Sequence, residues 1–360
     1  MNHPCVTTLE KDSAPRVLFA GDKLVEADLP PGTRCIYPKP PIQPLRDVDA
    51  AIRYAINHPL GCEPLYAKLR PGMKVTIAVD DISLPLPPMR GPDVRERVLE
   101  IVLALMADHG VDDIEIIVAT GIHRRMKAAE VRHMVGRRVF EAYWPDRLYN
   151  HDAEDRDNLV EVATTDHGEV IEMNRRAVDS DLIVYVNLNF VPMDGGHKSL
   201  MCGLTSYRSL ASHHNPETIR ACDGYMDPHK SELATRVWRM GRLANQKLNV
   251  FTIETTVNNR MFDRPLEFLA KNEDDLDARE RALLKGLVMT TARLPQVARQ
   301  AVFDRFPAPY GVTGVWAGET EAVHEKTLER CYEQYRVTLE GQADVLVCRI
   351  PLTGPYNVQP

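Results

Sequence analysis

Five consecutive apolar residues, Leu182 to Val186 (LIVYV), leave a strand no face for water. A run without alternation must be covered on both sides, as happens in the parallel sheet of an α/β protein. Two further β-rich runs lie upstream, Lys74 to Val79 (KVTIAV) and Ile114 to Ala119 (IEIIVA). Between them Val94, Val98, Ile101, Val102 and Leu105 recur at helical spacing behind Pro92, a residue suited to a first helical turn. Strand, helix, strand is the local reading, and Leu159 to Val162 and Val170 to Met173 extend it. The expected fold class is α/β, two domains with Rossmann-like, mixed or mostly parallel sheets and the active site in the cleft between them. A proline-rich lead-in from Leu29 to Leu45 reads as extended surface chain. Helical spacing follows from about Ser231 to Arg242, then a strand-like segment from Leu248 to Val257. The charged stretch Lys271 to Gly286 places the domain boundary, giving an N-terminal cofactor-binding domain over 1–270 and a C-terminal α/β domain over 271–360. That second unit is expected to hold a helix around Ala322 to Tyr335 and a strand at Ala343 to Cys348, and to be incomplete.

Composition narrows the function. The 360 residues carry 51 acidic against 44 basic side chains, a net charge of −7, with the two signs interspersed. Such a surface offers no footprint for a nucleic-acid backbone. No run approaches the roughly eighteen apolar residues that span a bilayer, and the first residues lack the apolar core of an export signal, so no membrane association is expected and the location reads as cytoplasmic. Seven cysteines, odd in number and without a C-x-x-C pair, read as reduced thiols.

Three polar loops follow the apolar runs, where open α/β sheets collect ligands: Val79 to Ser83, Ala119 to Arg124 and Asp194 to Ser199. In the second, Thr120 and Gly121 admit close approach of a phosphate to backbone amides, Arg124 adds charge, and His123 is a side-chain type suited to proton transfer; a capped turn with solvated arginines is the plainer alternative. In the third, Gly195 and Gly196 precede Lys198, but Val191 stands where a P-loop needs its first glycine, which disfavours nucleotide triphosphate hydrolysis. Lys198 is a covalent attachment point or a surface lysine in a flexible turn. His213 and His214 are adjacent, so regular backbone points them apart and at most one ligates a metal. Asn150, His151 and Asp152 form a turn or a hydrogen-bond network.

Taken in order, AVDDISLPLP from Ala78, ATGIHR from Ala119, NHD from Asn150, NRR from Asn174, GGHKS from Gly195, a histidine sixteen positions after Lys198, and WAGETEAVHEK from Trp316 resemble the lactate racemase family over most of the chain. The resemblance implies a nickel-pincer nucleotide, a pyridinium mononucleotide with two sulfur-bearing arms, joined covalently to Lys198, with His214 completing a roughly square-planar Ni(II) site. It implies cofactor contacts at Thr120, Gly121, Arg124, Gly195, Gly196 and His151, with the phosphate at the glycine turn, and a substrate proton exchanged at His123. The activity implied is racemisation or epimerisation of a 2-hydroxy acid or related polyhydroxy compound by transient hydride transfer. Companion enzymes that build the cofactor are implied as partners.

Two departures bear on the substrate. Leu84 stands where the family has an arginine, so a carboxylate clamp is missing and lactate is disfavoured. Asn187-Leu188-Asn189-Phe190 replaces the segment that holds the family's second histidine, and neutral asparagine is no general base. Asp81, Asn187, Asn189 and Tyr225 become the candidates for holding a polar substrate. A hydroxy-compound oxidoreductase and a non-catalytic cofactor carrier are the competing readings.

Overall fold

The computed structural model describes residues 4–82, 88–303, 307–348 and 350–351. Near the start, β1 (Val6–Thr8) pairs with β4 (Arg34–Ile36), and β2 (Arg16–Gly21) forms a hairpin with β3 (Lys23–Ala27). The chain then enters a six-stranded sheet containing β5 (Lys74–Asp80), β6 (Asp113–Ala119) and β7 (Leu148–Asn150). A separate antiparallel hairpin, β8 (Leu159–Thr164) and β9 (Val170–Asn174), precedes β10 (Leu182–Asn189), β11 (Val250–Val257) and β12 (Val312–Gly318). The last strand, β13 (Ile350–Pro351), joins β2.

The central sheet has the order β12-β11-β10-β5-β6-β7 and is parallel except for β12. All eight residues of β10 are buried, as its unbroken apolar run demands. On one face Ile77, Val79, Ile116 and Val184 pack against the helices Val48–Asn57, Val94–Asp108 and Ala128–Val135. On the other, Ala78, Ile117, Ile183 and Tyr185 meet the helices His197–Gly203 and Glu232–Asn245. Each fully buried aliphatic side chain contributes about 1.5–3 kcal/mol, so these layers fix the sheet and the loops at its edge. The anticipated helices form, with Asp93, Ser231 and Glu319 as caps whose side chains accept from Arg95, Ala234 and Ala322 backbone N–H groups.

Three expectations are corrected. Leu159 to Met173 does not extend the parallel sheet: the connection of residues 165–169 is too short for a crossover, so β8 and β9 pair antiparallel. Residues 343–348 form no strand; Val345, Leu346 and Val347 are exposed. Within the proline-rich lead-in, Arg34–Ile36 is paired as β4, and the rest is strapped down, Leu45 donating to the Val312 carbonyl (2.8 Å) and Ile42 to Gln334 Oε1 (2.8 Å).

The chain beyond 271 goes to two places. Helix Ala278–Arg293 lies on β3, while β12 pairs with β11 and helix Thr320–Tyr335 packs over both. Among the described residues no helix is long and apolar enough to cross a membrane.

Candidate active site

The carboxyl ends of β5, β6 and β10 lie side by side, so the three loops foreseen in the sequence meet at one edge of the sheet. They surround a cavity of about 320 Å³. Asp81, Thr120, His123, Asn187, Gly195, Lys198 and His214 all line it, together with Asp80, Tyr185, Cys202 and the half-exposed Tyr225. Leu84 falls outside the described residues.

His123 Nδ1 lies 3.0 Å from Asp81 Oδ2. A histidine that donates Nδ1–H to a carboxylate carries its lone pair on Nε2, the arrangement a general base needs. Asp81 is held by the buried Arg95, which donates to its carbonyl (3.1 Å), grips Asp93 through two nitrogens (2.9 and 2.8 Å) and approaches Asp80 (3.6 Å). Burial pushes the Asp80 carboxyl up to about 7 despite Arg95 and the Leu188 amide that it accepts from.

Lys198 sits in the first turn of helix His197–Gly203, with Nζ 3.7 Å from Asp194 Oδ1. Asp194 also accepts from the Phe190 and Val191 amides (3.2 Å each); burial raises its pKa, and Lys198 offsets part of that rise. The turn before Lys198 has positive φ at Gly195 (+86°) and Gly196 (+58°). A Cβ at Gly195 would lie 2.5 Å from Asn189 Nδ2, and one at Gly196 2.8 Å from the His324 ring. The Gly196 N–H is already given to Glu254 (2.5 Å). These glycines therefore let the turn settle onto a buried polar cluster, which accounts for them without a phosphate.

Glu254 organises that cluster. Fully buried on β11, it accepts from Asn189 Nδ2 (2.9 Å), Thr327 Oγ1 (2.5 Å) and His324 Nδ1 (3.3 Å) besides Gly196. Burial alone would raise its pKa, but His324, Thr327 and the Gly196 amide hold it below the usual carboxylate range. Sequence reasoning missed Glu254 and His324; the signal was a lone glutamate inside the buried-strand pattern VFTIETTV.

Several candidates stand apart from the cavity. Asn189 is buried and bonded to Glu254 and to the Asn187 side chain, while Asn187 accepts from Ser199 Oγ (2.9 Å) at the cavity wall. His151 is buried, with Nε2 3.0 Å from the Thr205 carbonyl, and its own carbonyl accepts from Thr120 Oγ1 (2.8 Å). Arg124 is paired with Glu130 (2.8 and 2.5 Å). Gly121, at φ +54°, donates to the Gly203 carbonyl (3.1 Å), and a Cβ there would strike the Cys202 carbonyl.

His213 and His214 depart from the regular-backbone expectation. They lie in the turn that closes helix Tyr207–Ala211, and their Nδ1 atoms come within 2.8 Å of each other. Burial, then His214, takes His213 down to about 3; burial, then Lys198 and His123, takes His214 down to about 4. Both rings are neutral at pH 7 and offer lone pairs.

The lactate racemase N-terminal domain family matches residues 20–223. The lactate racemase of Thermoanaerobacterium thermosaccharolyticum is 24% identical over 178 residues, which are 47% of this chain and 38% of that protein. The lactate racemase of Lactiplantibacillus plantarum is 23% identical over 175 residues, 47% of this chain and 39% of that protein. The match thus spans about two fifths of each relative's length. The solved lactate racemase apoprotein from T. thermosaccharolyticum shares the fold, with a TM-score of 0.57 at 18% identity over 89% of this chain and 63% of that one. The chain belongs to the lactate racemase N-terminal domain family.

Proposed function

We propose that this protein is a racemase or epimerase of a hydroxy compound, with Lys198 and His214 holding a nickel-pincer nucleotide. One observation carries the reading: Lys198, His214 and the Asp81–His123 pair all open onto the same cavity. The residues suit the group. An amine and a neutral imidazole enter from adjoining elements, and imidazole nitrogen is a good donor for Ni(II). When bound, the group supplies a reversible hydride acceptor.

The chain's own residues do the rest. His123 takes the substrate hydroxyl proton and returns it, a role worth about 10²–10⁴ in rate. Asp81 fixes the ring and stabilises its charged form. Asn187, neutral and already bonded to Ser199 and Asn189, orients substrate without taking a proton. With one base, inversion would require the oxidised substrate to present its other face before the carbinol hydrogen is returned to carbon. Among the described residues lining the cavity, Lys198 is the only lysine or arginine, and it faces Asp194, whereas Asp80 and Asp81 add acidic groups. A carboxylate substrate meets no guanidinium clamp there, which favours a neutral polyhydroxy compound over lactate.

Screening hydroxy compounds labelled with deuterium on the carbinol carbon tests this. Inversion with the label retained in ordinary water fits internal hydride return; loss of the label to solvent would falsify it. Asn187 in place of a second base favours one alternative, a hydroxy-compound oxidoreductase, which would accumulate the carbonyl product instead of the stereoisomer.

A further inference from the structure

Cys202, His213 and His214 present one ligand atom each within 4.8 Å of one another. Cys202 lies four residues after Lys198 on the same short helix, so its thiol faces the cavity that the lysine enters. His213 sits behind the wall, fully buried, its ring against the Met201 backbone, and among the described residues its Nε2 makes no hydrogen bond of ordinary geometry. The 2.8 Å approach of the two Nδ1 atoms leaves at most one proton between them. Two nitrogens bound to one ion at about 2.0–2.1 Å sit roughly 2.9–3.4 Å apart, depending on whether the angle is square or tetrahedral. The observed spacing is within a small adjustment of the square limit.

The backbone is built to hold that pair. The His213 and His214 amides both donate to the Leu210 carbonyl (3.2 and 2.8 Å), and Asn215 locks the turn by donating to the Ala211 and Ser212 carbonyls (3.0 and 3.1 Å). We propose that Cys202, His213 and His214 form a metal site that takes up one borderline divalent ion of the nickel, cobalt and zinc class directly, without a nucleotide. One sulfur and two imidazole nitrogens suit such ions and exclude magnesium and calcium. Uptake breaks the Cys202 S–H bond, forms the metal–sulfur bond and releases the proton to solvent. The resulting thiolate, with Asp194 facing Lys198, counters the charge of the ion beside the ammonium. The fourth position opens to the cavity, as in a site that keeps a place for an incoming ligand.

This goes beyond the nucleotide reading and stands or falls separately. The experiment uses the full chain made in a host without the companion enzymes, stripped with chelator and titrated with Co²⁺ alone. Wild type is expected to bind one equivalent with a sulfur-to-cobalt absorption in the near ultraviolet. Cys202→Ser should abolish that absorption, and His213→Ala should weaken binding by more than roughly tenfold, the loss that even an outer partner's removal costs. His213→Gln serves if the alanine variant fails to fold by circular dichroism. No binding by wild type, an unchanged absorption in Cys202→Ser, or a folded His213 variant that binds like wild type would overturn the site. A nucleotide adduct on Lys198 in a protein that takes up no free ion would overturn it too while leaving the proposed function standing.

Discussion

Single residues decide whether the cavity is reactive. Asp81→Asn keeps the shape of the His123 partner but removes the charge that sets the ring's tautomer, so turnover should fall by about 10²–10⁴ with little change in stability, read by steady-state kinetics beside a melting curve. The glycines separate two costs. Gly196→Ala brings both a positive φ and a methyl group 2.8 Å from the His324 ring, whereas Gly32→Ala brings a positive φ alone, with nothing within 4 Å. Urea unfolding should show about 1–2 kcal/mol lost at Gly32 and about 1–3 kcal/mol more at Gly196; equal losses would remove the packing role assigned to the turn. Lys198, His214, His123 and Asp81 could be picked out from the chain because each sits in a short pattern whose order is informative. Glu254 could not, since its meaning comes from Gly196, 58 residues away, and from His324 on a third element. Asn189 was misplaced for a related reason: it lies one strand period from Asn187, on the same face, yet its amide is consumed by Glu254.

At the scale of elements, helices are tied together by charge. Glu321, on helix Thr320–Tyr335, is bonded to Arg242 (2.6 and 3.0 Å) on helix Glu232–Asn245 and to His197 (2.8 Å) on the helix that carries Lys198. Arg242 first, and His197 after it, bring the Glu321 carboxyl down to about 2 against the effect of burial. Since the folded pKa lies below the unfolded one, this contribution is complete above about pH 4.5 and is lost as pH falls towards 2. Glu321→Gln should therefore lower stability at pH 7 by about 1 kcal/mol, solvent screening included, and the difference should vanish near pH 2; melting temperatures across that range show it, and a pH-independent gap would point to packing instead. Periodicity reveals β5, β6, β10 and the helices Val94–Asp108, Glu232–Asn245 and Thr320–Tyr335 because each carries a buried pattern, whereas helix Ala278–Arg293, with no buried residue, reads only as a charged stretch. It fails for β8 and β9, where a strand's local pattern is indifferent to whether its partner is parallel or antiparallel and only the length of the connection decides.

At the scale of the molecule, β12 matters most. The antiparallel strand lies beyond the boundary expected near 271 but supplies the outer hydrogen-bond partner of β11, whose residues are almost all buried. A truncation ending at residue 270 should leave β11 as a bare apolar edge and give an aggregating chain without a cooperative melt; a soluble, cooperatively melting 1–270 would instead support two independent units. The parallel core could be read from the sequence, but the return of a distant segment to its edge could not, because no local pattern encodes the pairing of residues 252–257 with 312–318. The central claim is that Lys198 and His214 hold a nickel-pincer nucleotide in the cavity at this sheet's edge. Intact-protein mass spectrometry with nickel analysis, on protein coexpressed with the cofactor-building enzymes, tests it most directly. The account predicts a covalent adduct with nickel in wild type, no adduct in Lys198→Ala, and an adduct with depleted nickel in His214→Ala. Wild-type protein with neither adduct nor nickel, from cells shown to make the cofactor, would contradict it.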